Sequence, residues 1–467
     1  MSKNTHQKKT KAKKSTQRSK TGIYILSGLL AVALLLCAAF LAFRASGKMV
    51  VETVDGHKVT QAELQYYYSN RIEAYRKGQL RYGSEIAFDP SVSLKKQSCP
   101  LSYGLSWHAY FVDQALQQIA MEEAACQEAE SAGYDAGTVE KALDRRMQQL
   151  SAVAASQNMT EEEYLKTRYG NGLSPDMVKR FETRSLISDL YYAECYERYS
   201  VPEEEIEERF QKNRMWNMTA SYLIAELECS VEEAKTAEQD FRKVTDQETF
   251  VECCRRYNPS LQEAKMLRRN VSAEETEDYV VSSWVFDAAR EHGDVTAMRL
   301  GESTDNEKLV VLYFLEASRD ESATCRYEET FLMPDLPQLK SEETVWGIKE
   351  AAAEAYDNLS EEEYLLLALS FSENSGYRKL TEKSVTVQEA ADLSFGEWLL
   401  SDERKPGDIT VLEEKGGILV IRFAGEGDVY WHSKAEAALK DAYISGLRTS
   451  LQESLTVSRS LFYSLLT

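Results

Sequence analysis

The sequence predicts an α+β protein built from an N-terminal transmembrane helix, a helical domain, two tandem α+β modules and a C-terminal helix. Three observations predict it. A 21-residue run from Ile23 to Phe43 carries no charge. Residues 104–214 keep apolar positions at helical spacing between capping signals. Residues 250–296 recur at 364–410, with Trp284, Arg290, Gly293, Asp294 and Thr296 matching Trp398, Arg404, Gly407, Asp408 and Thr410 at a single offset of 114. Phe250 to Tyr257 align with Tyr364 to Phe371 at the same offset. A repeat this long exceeds any solenoid unit and marks a duplicated small domain. Residues that chemistry needs should then recur in at least one copy.

The chain of 467 residues carries a net charge of −21, unevenly placed. Nine of the 55 basic residues and no acid lie within residues 1–44, which leaves 46 basic against 76 acidic residues and a body near −30. Such a body argues against nucleic acid as its partner. About 20 apolar residues cross the hydrocarbon core as a helix, so residues 23–43 are expected to span the bilayer. The basic tail, residues 1–22, is expected to stay cytoplasmic by the positive-inside rule. The protein is then a single-pass cell-membrane protein with its large C-terminal part outside the cytoplasm. A cleaved signal peptide is the main rival, but the run is long for one and no small-x-small site follows cleanly. Cys37 lies mid-run behind three leucines, which argues against a lipoprotein cysteine.

The helical domain is placed at 50–215. Asp55-Gly56 between apolar runs signals a tight turn. Thr60 with Glu63, and Thr160 with Glu163, read as capping boxes. Ser174-Pro175 reads as an N-cap followed by proline at the first helical position. Pro202 and Glu203 to Glu205 open another helix with acids in its first turn. The first module is placed at 216–320. It has a strand at 219–224, helices near 230–244 and 247–257, an irregular polar stretch to about 272, a short helix, the Gly293-Asp294 turn and a closing strand at 309–314. The second module, 321–428, repeats this order with a strand near 327–333, helices near 343–357 and 360–370, the Gly407-Asp408 turn and a strand at 418–423. The C-terminal segment, 433–467, reads as an amphipathic helix through Ala438, Leu439, Tyr443, Leu447 and Leu451, fit to pack on the helical domain.

Seven cysteines follow residue 44, without C-x-x-C spacing, so neither zinc site nor disulfide framework is visible. Adjacent Cys253 and Cys254 read as small buried apolar residues. There is no Ser/His/Asp spacing, phosphate loop or metal-ligand cluster, and no cofactor or metal is expected. The Asp294/Asp408 pair has no recurring acid or histidine beside it and reads as turn-stabilising.

The order of elements resembles the membrane-anchored extracytoplasmic foldases of the PrsA/SurA type. Val54-Asp55-Gly56-x-Lys58-Val59-Thr60-x-x-Glu63-Leu64 resembles the start of the SurA-type N-terminal helical domain, and the helix at 202–210 resembles the element leading to the next module. The repeated unit, with its Trp-x5-Arg-x-x-Gly-Asp-[Val/Ile]-Thr and closing apolar strand, resembles the parvulin-type (PpiC-like) peptidyl-prolyl isomerase domain. Active members of that family carry a histidine on the first strand and another on the closing strand. Here the first of these positions is Tyr222, and the second falls at about Val310 in one copy and Leu419 in the other. The Gly-Gly-x-Leu-Gly stretch is missing from both copies. None of the five histidines falls on these strands.

The resemblance implies a chaperone or foldase that binds unfolded or secreted polypeptides. Prolyl isomerisation needs no covalent step, only tighter binding of the twisted amide over a barrier of about 18–20 kcal/mol. An apolar pocket can outlive the histidines, but not the polar network. No catalytic residue is therefore assigned. Tyr222, Trp284, Phe286 and Trp398 are the candidate substrate-binding residues. A non-catalytic envelope scaffold and a weakly active isomerase stay open as alternatives, as does the oligomeric state.

Overall fold

A computed structural model describes residues 46–81, 85–276, 278–300, 307–332, 382–414 and 417–460, with isolated residues near either end. The basic tail 1–22, nearly all of the 23–43 run and the helices expected near 343–357 and 360–370 lie outside the described residues. Among the described residues no helix is long and apolar enough to cross a membrane. The architecture is α+β, with helices and three antiparallel sheets.

The helical domain opens with a hairpin of β1 (Val50–Val54) and β2 (His57–Thr60). Its turn residues Asp55 and Gly56 both have positive φ, 48° and 89°, as a two-residue turn matched to strand twist requires. Helix α1 (Gln61–Arg81) follows. The Thr60 hydroxyl accepts from the Glu63 amide at 3.2 Å, but the Glu63 carboxylate goes to His57 and Arg184 instead of back to the cap. A tertiary network thus outcompetes half of the expected capping box. Next come α2 (Trp107–Ser131), α3 (Glu140–Ser156), α4 (Glu161–Tyr169), α5 (Pro175–Arg198) and α6 (Glu203–Lys212). The Thr160–Glu163 box forms in full, and Ser174 caps α5 with proline at its start. Tyr66, Tyr67, Ile119, Leu165 and Phe181 fill the core between these helices.

The first module comprises β3 (Met218–Cys229), α7 (Val231–Phe241), α8 (Gln247–Tyr257), α9 (Glu263–Met266), β4 (Leu267–Ser272), α10 (Tyr279–Val285), β5 (Val295–Leu300) and β6 (Glu307–Arg319). Its sheet order is β4-β3-β6-β5. The second comprises β7 (Thr324–Leu332), β8 (Glu382–Thr386), α11 (Val387–Ala391), α12 (Gly396–Leu399), β9 (Ile409–Glu414) and β10 (Gly417–Glu426), in the same order, β8-β7-β10-β9. Edge strand β4 occupies the end of the stretch expected to be irregular. Its Arg268, Arg269 and Asn270 are exposed, so it has no alternating apolar signal to read. On one face of the first sheet, Leu223, Ala225 and Leu227 pack under Phe241, Phe250, Cys253 and Cys254. Both cysteines are fully buried.

Helix α13 (Tyr430–Ser454) runs back over the helical domain. Tyr443 stacks on Tyr199 at 4.0 Å, and Ile444 is buried among Ala125, Tyr192 and Tyr196. The C-terminal segment is not helical throughout: α13 stops at Ser454 and β11 (Val457–Arg459) pairs with β1. Arg459 reaches the buried Glu52 at 3.4 Å, and the Asp55 amide donates to the Thr456 carbonyl. A strand satisfies the open edge of β1, which a continued helix would leave unpaired.

Candidate functional site

The repeated Trp-Arg-Gly-Asp set builds the same turn twice. Gly293 and Gly407 sit at φ 93° and 97°, a region that side chains with a Cβ resist. The Gly293 amide donates to the Phe314 carbonyl and the Phe314 amide to the Asp294 carbonyl, both at 2.9 Å. Gly407, Phe423 and Asp408 repeat this at 2.8 Å. Each aspartate also accepts from the backbone three residues earlier, at 3.1 Å in one copy and 3.0 Å in the other. Arg290 lies 5.0 Å from the Trp284 ring centroid and pairs with Asp294, and Arg404 does the same with Trp398 and Asp408. Trp, Arg and Asp thus form one stacked and charge-paired unit that pins the turn to the closing strand.

The two sheets also share a bulge. Tyr222 pairs with Phe314 and Ser221 with Glu316, so Leu315 is the extra residue. Tyr327 pairs with Phe423 and Arg326 with Gly425, so Ala424 is the extra residue. The registers put Tyr327 of the second module where Tyr222 stands in the first. Sequence reading missed Tyr327 because the spacing changes: from tyrosine to turn glycine is 71 residues in one copy and 80 in the other. The closing-strand bulge, once located, is the signal that realigns them.

Both tyrosines are closed into cores. Tyr222 is 3% exposed among Met218, Val281, Val285, Phe286, Leu312 and Phe314. Tyr327 is also 3% exposed, among Phe395, Leu399, Leu419, Ile421 and Phe423. Burial raises the Tyr222 phenol above its ordinary range, opposed by Arg268 beside it. Burial, with Glu329 nearby, pushes Tyr327 up to about 12. Neither phenol is poised to ionise near neutral pH. Val310 and Leu419, where the resemblance would lead one to expect a closing-strand histidine, are buried apolar residues.

Of the four candidate binding residues, Tyr222 and Phe286 share one filled core, and Trp284 packs at its margin, half-buried, with its ring 6.5 Å from Phe314. Trp398 lies at the margin of the other module's core and does not join them. Tyr222, closed in this way, faces no open groove among the described residues. Helix α6 and α13 close the first module's cluster further. Phe210 and Trp431 meet edge to face at 5.2 Å, and the Arg319 guanidinium sits 4.5 Å from both rings.

A second polar constellation, unforeseen from the sequence, lies inside the helical domain. Arg184 pairs with Glu63 at 2.6 Å and Glu122 at 3.5 Å, Tyr67 donates to Glu122, and His57 meets Glu63 at 2.9 Å. Arg146 and Tyr66 converge on Glu182. Burial raises the Glu122 carboxyl against the pull of Arg184. For Glu63 burial also acts upward, but His57 and Arg184 outweigh it and the net shift is downward. The cluster joins β2, α1, α2, α3 and α5, and its interior acids and bases are mutually paired, which makes it a packing device. Among the described residues no group of histidines, cysteines and carboxylates is arranged to hold a metal ion.

No family model matches this chain, and no curated relative does. Among solved structures it is similar to the foldase protein PrsA from Streptococcus pneumoniae, at 11% identity and a TM-score of 0.19, over 59% of this chain and 93% of that one. It is likewise similar to PrsA from Bacillus subtilis, at 12% identity and a TM-score of 0.17, over 59% and 91%. At such TM-scores neither likeness carries a structural or functional argument.

Proposed function

We propose that this chain is a membrane-anchored extracytoplasmic foldase that holds unfolded or secreted polypeptides without isomerising proline. In this reading residues 23–43 cross the bilayer and the body acts outside the cytoplasm. The observation that carries it is the matched pair Tyr222 and Tyr327. Both modules keep one frame, turn and bulge, and among the described residues both close this tyrosine position into an apolar core. Twisting a prolyl amide needs preorganised polar groups facing the substrate, whereas the clustered residues described around each tyrosine are apolar. Binding then falls to module rims. Tyr279 and Val280 at the start of α10, and Val387 at the start of α11, are exposed. They lie close in sequence to Glu275 and Gln388, whose hydrogen bond of 3.2 Å joins the two modules. Exposed apolar residues of this kind suit weak, sequence-tolerant contacts with unfolded chains.

The full chain in nanodiscs tests this in two assays. Aggregation of a refolding client should be suppressed at near-stoichiometric ratios, and a proline-limited refolding phase should keep its rate. Catalytic acceleration of that phase would overturn the non-isomerising reading. Absence of any effect on aggregation would overturn polypeptide holding. The closed face of the first module favours a second reading, a docking scaffold, and the second result would select it.

A further inference from the structure

The loop between α1 and α2 is built as a rigid apolar projection. Its base is an aromatic core of Phe88, Trp107 and Phe111 with Cys99. Gln97 staples it: the side-chain amide donates to the carbonyls of Asp89 at 2.9 Å and Val92 at 2.8 Å, and its oxygen accepts from the Asp89 amide at 2.8 Å. The Cys99 amide donates to Leu105 and the Trp107 amide to Gln97, both at 2.9 Å. From this frame Leu101, Tyr103 and Leu105 point outward, with Tyr103 106% exposed and Leu101 58%. Lys95 and Lys96, both exposed, sit beside them. A fixed backbone that presents leucines and a tyrosine to water needs a reason, because nothing in the loop's own packing requires them there.

We infer that residues 97–106 form a second membrane contact, dipping Leu101, Tyr103 and Leu105 into the interface of an anionic bilayer beside Lys95 and Lys96. Two features favour lipid over polypeptide, and a third restricts where on the body such a contact can lie. Tyr103 and Leu101 stand clear of the fold, at 106% and 58% exposure, whereas ligand sites enclose what they bind. The loop's chemistry is that of an interfacial anchor: aliphatic tips, a tyrosine whose ring and hydroxyl suit the headgroup level, and adjoining lysines. Finally, the rest of the chain after residue 44 is near −30, so an anionic surface repels most of the body and tolerates it only where basic residues face it.

The loop also has a placement relative to the anchor, which rests on the reading of residues 23–43 as a membrane span. The folded domain begins at Ser46, three residues after Phe43, and the Gly47 carbonyl already accepts from Ala62 at the start of α1. The loop follows the other end of α1 in sequence, and its aromatic base packs back on Tyr68, Ile72 and Tyr75 of that helix.

Hydroxyl-radical footprinting of the full chain tests the contact, with Tyr279 on the first module as an internal reference. In nanodiscs containing phosphatidylglycerol, labelling of Tyr103 relative to Tyr279 should fall several-fold compared with phosphatidylcholine nanodiscs in high salt. The double variant Leu101→Ser/Tyr103→Ser, altered only at exposed positions, should fold normally by circular dichroism and lose protection of Leu105. An unchanged Tyr103 to Tyr279 ratio overturns the inference. Protection that appears only when an unfolded polypeptide is added also overturns it and makes the loop a polypeptide site. If alkaline carbonate extracts the chain from membranes, the anchor reading fails on its own. The same footprint is then read on phosphatidylglycerol vesicles, where protected Tyr103 still supports the loop contact and unprotected Tyr103 sinks it.

Discussion

The two modules share strand order, turn, bulge and a buried tyrosine, yet they are attached differently. The first is continuous with the helical body: Ile206 and Phe210 of α6 and Trp431 and Ala435 of α13 are part of the apolar cluster that contains Tyr222. The cluster around Tyr327 draws its described members from the second module alone. That module meets α13 through polar contacts, with Glu389 reached by the Tyr430 hydroxyl at 3.2 Å and by Lys434 at 3.7 Å. One fold can therefore serve as a fused wall or as a hung appendage, and the difference lies in a few large side chains outside the repeat.

The largest expected effect breaks the fused side. Phe210→Ala or Trp431→Ala should cost about 3–5 kcal/mol, and hydrogen exchange should then rise in both the first module and α6 while β7 and β10 stay protected. Equal loosening of both modules would erase the contrast. A pH titration comes next. Burial raises Asp189 in the helical body to about 7, with Arg146 opposing. The unfolded chain releases this proton near the ordinary 3.8, so the favourable contribution is full below that pH and is lost as pH rises towards 7. Asp189→Asn should flatten this part of the stability profile by a few kcal/mol, because each tenfold gain in proton affinity on folding is worth about 1.4 kcal/mol. The first module's unfolding should follow it and the second module's should not.

Gly293→Ala and Gly407→Ala probe what is shared. Each forces a Cβ into a positive-φ turn, at about 1–2 kcal/mol. A Cβ at Gly293 would meet only the Tyr313 hydroxyl at 3.6 Å, and at Gly407 nothing within 4 Å, so denaturation should show equal losses. Unequal losses would mean that the turns are not equivalent. The smallest effect should come from Arg290→Lys and Arg404→Lys, about 0.5–1 kcal/mol each for weakened stacking on tryptophan. Tyr222→Phe and Tyr327→Phe should leave client holding and refolding rates unchanged, and a lost activity in either would reopen the question of catalysis.

Local signals carried the turn at Asp55-Gly56, the Thr160 and Ser174 caps, the central strands and the buried pair Cys253-Cys254, because each depends on neighbours a few residues away. The edge strands were not legible, since an exposed strand such as β4 lacks an alternating apolar pattern. The candidate site was half legible. Offset 114 located the turn residues, but Tyr327 stands at offset 105 and Phe423 at 109, and only paired strands bring them into register.

By itself the sequence determined the duplication, the acidic body, the uncharged run at 23–43 and the absence of histidines from the module strands. These are matters of composition, spacing and periodicity. The tertiary structure alone decided that Tyr222 and Tyr327 are equivalent and closed, that Glu63 leaves its cap for Arg184, and that α13 ends in a strand against β1. Each outcome depends on burial and on which distant group offers the better partner, and no local pattern records that competition.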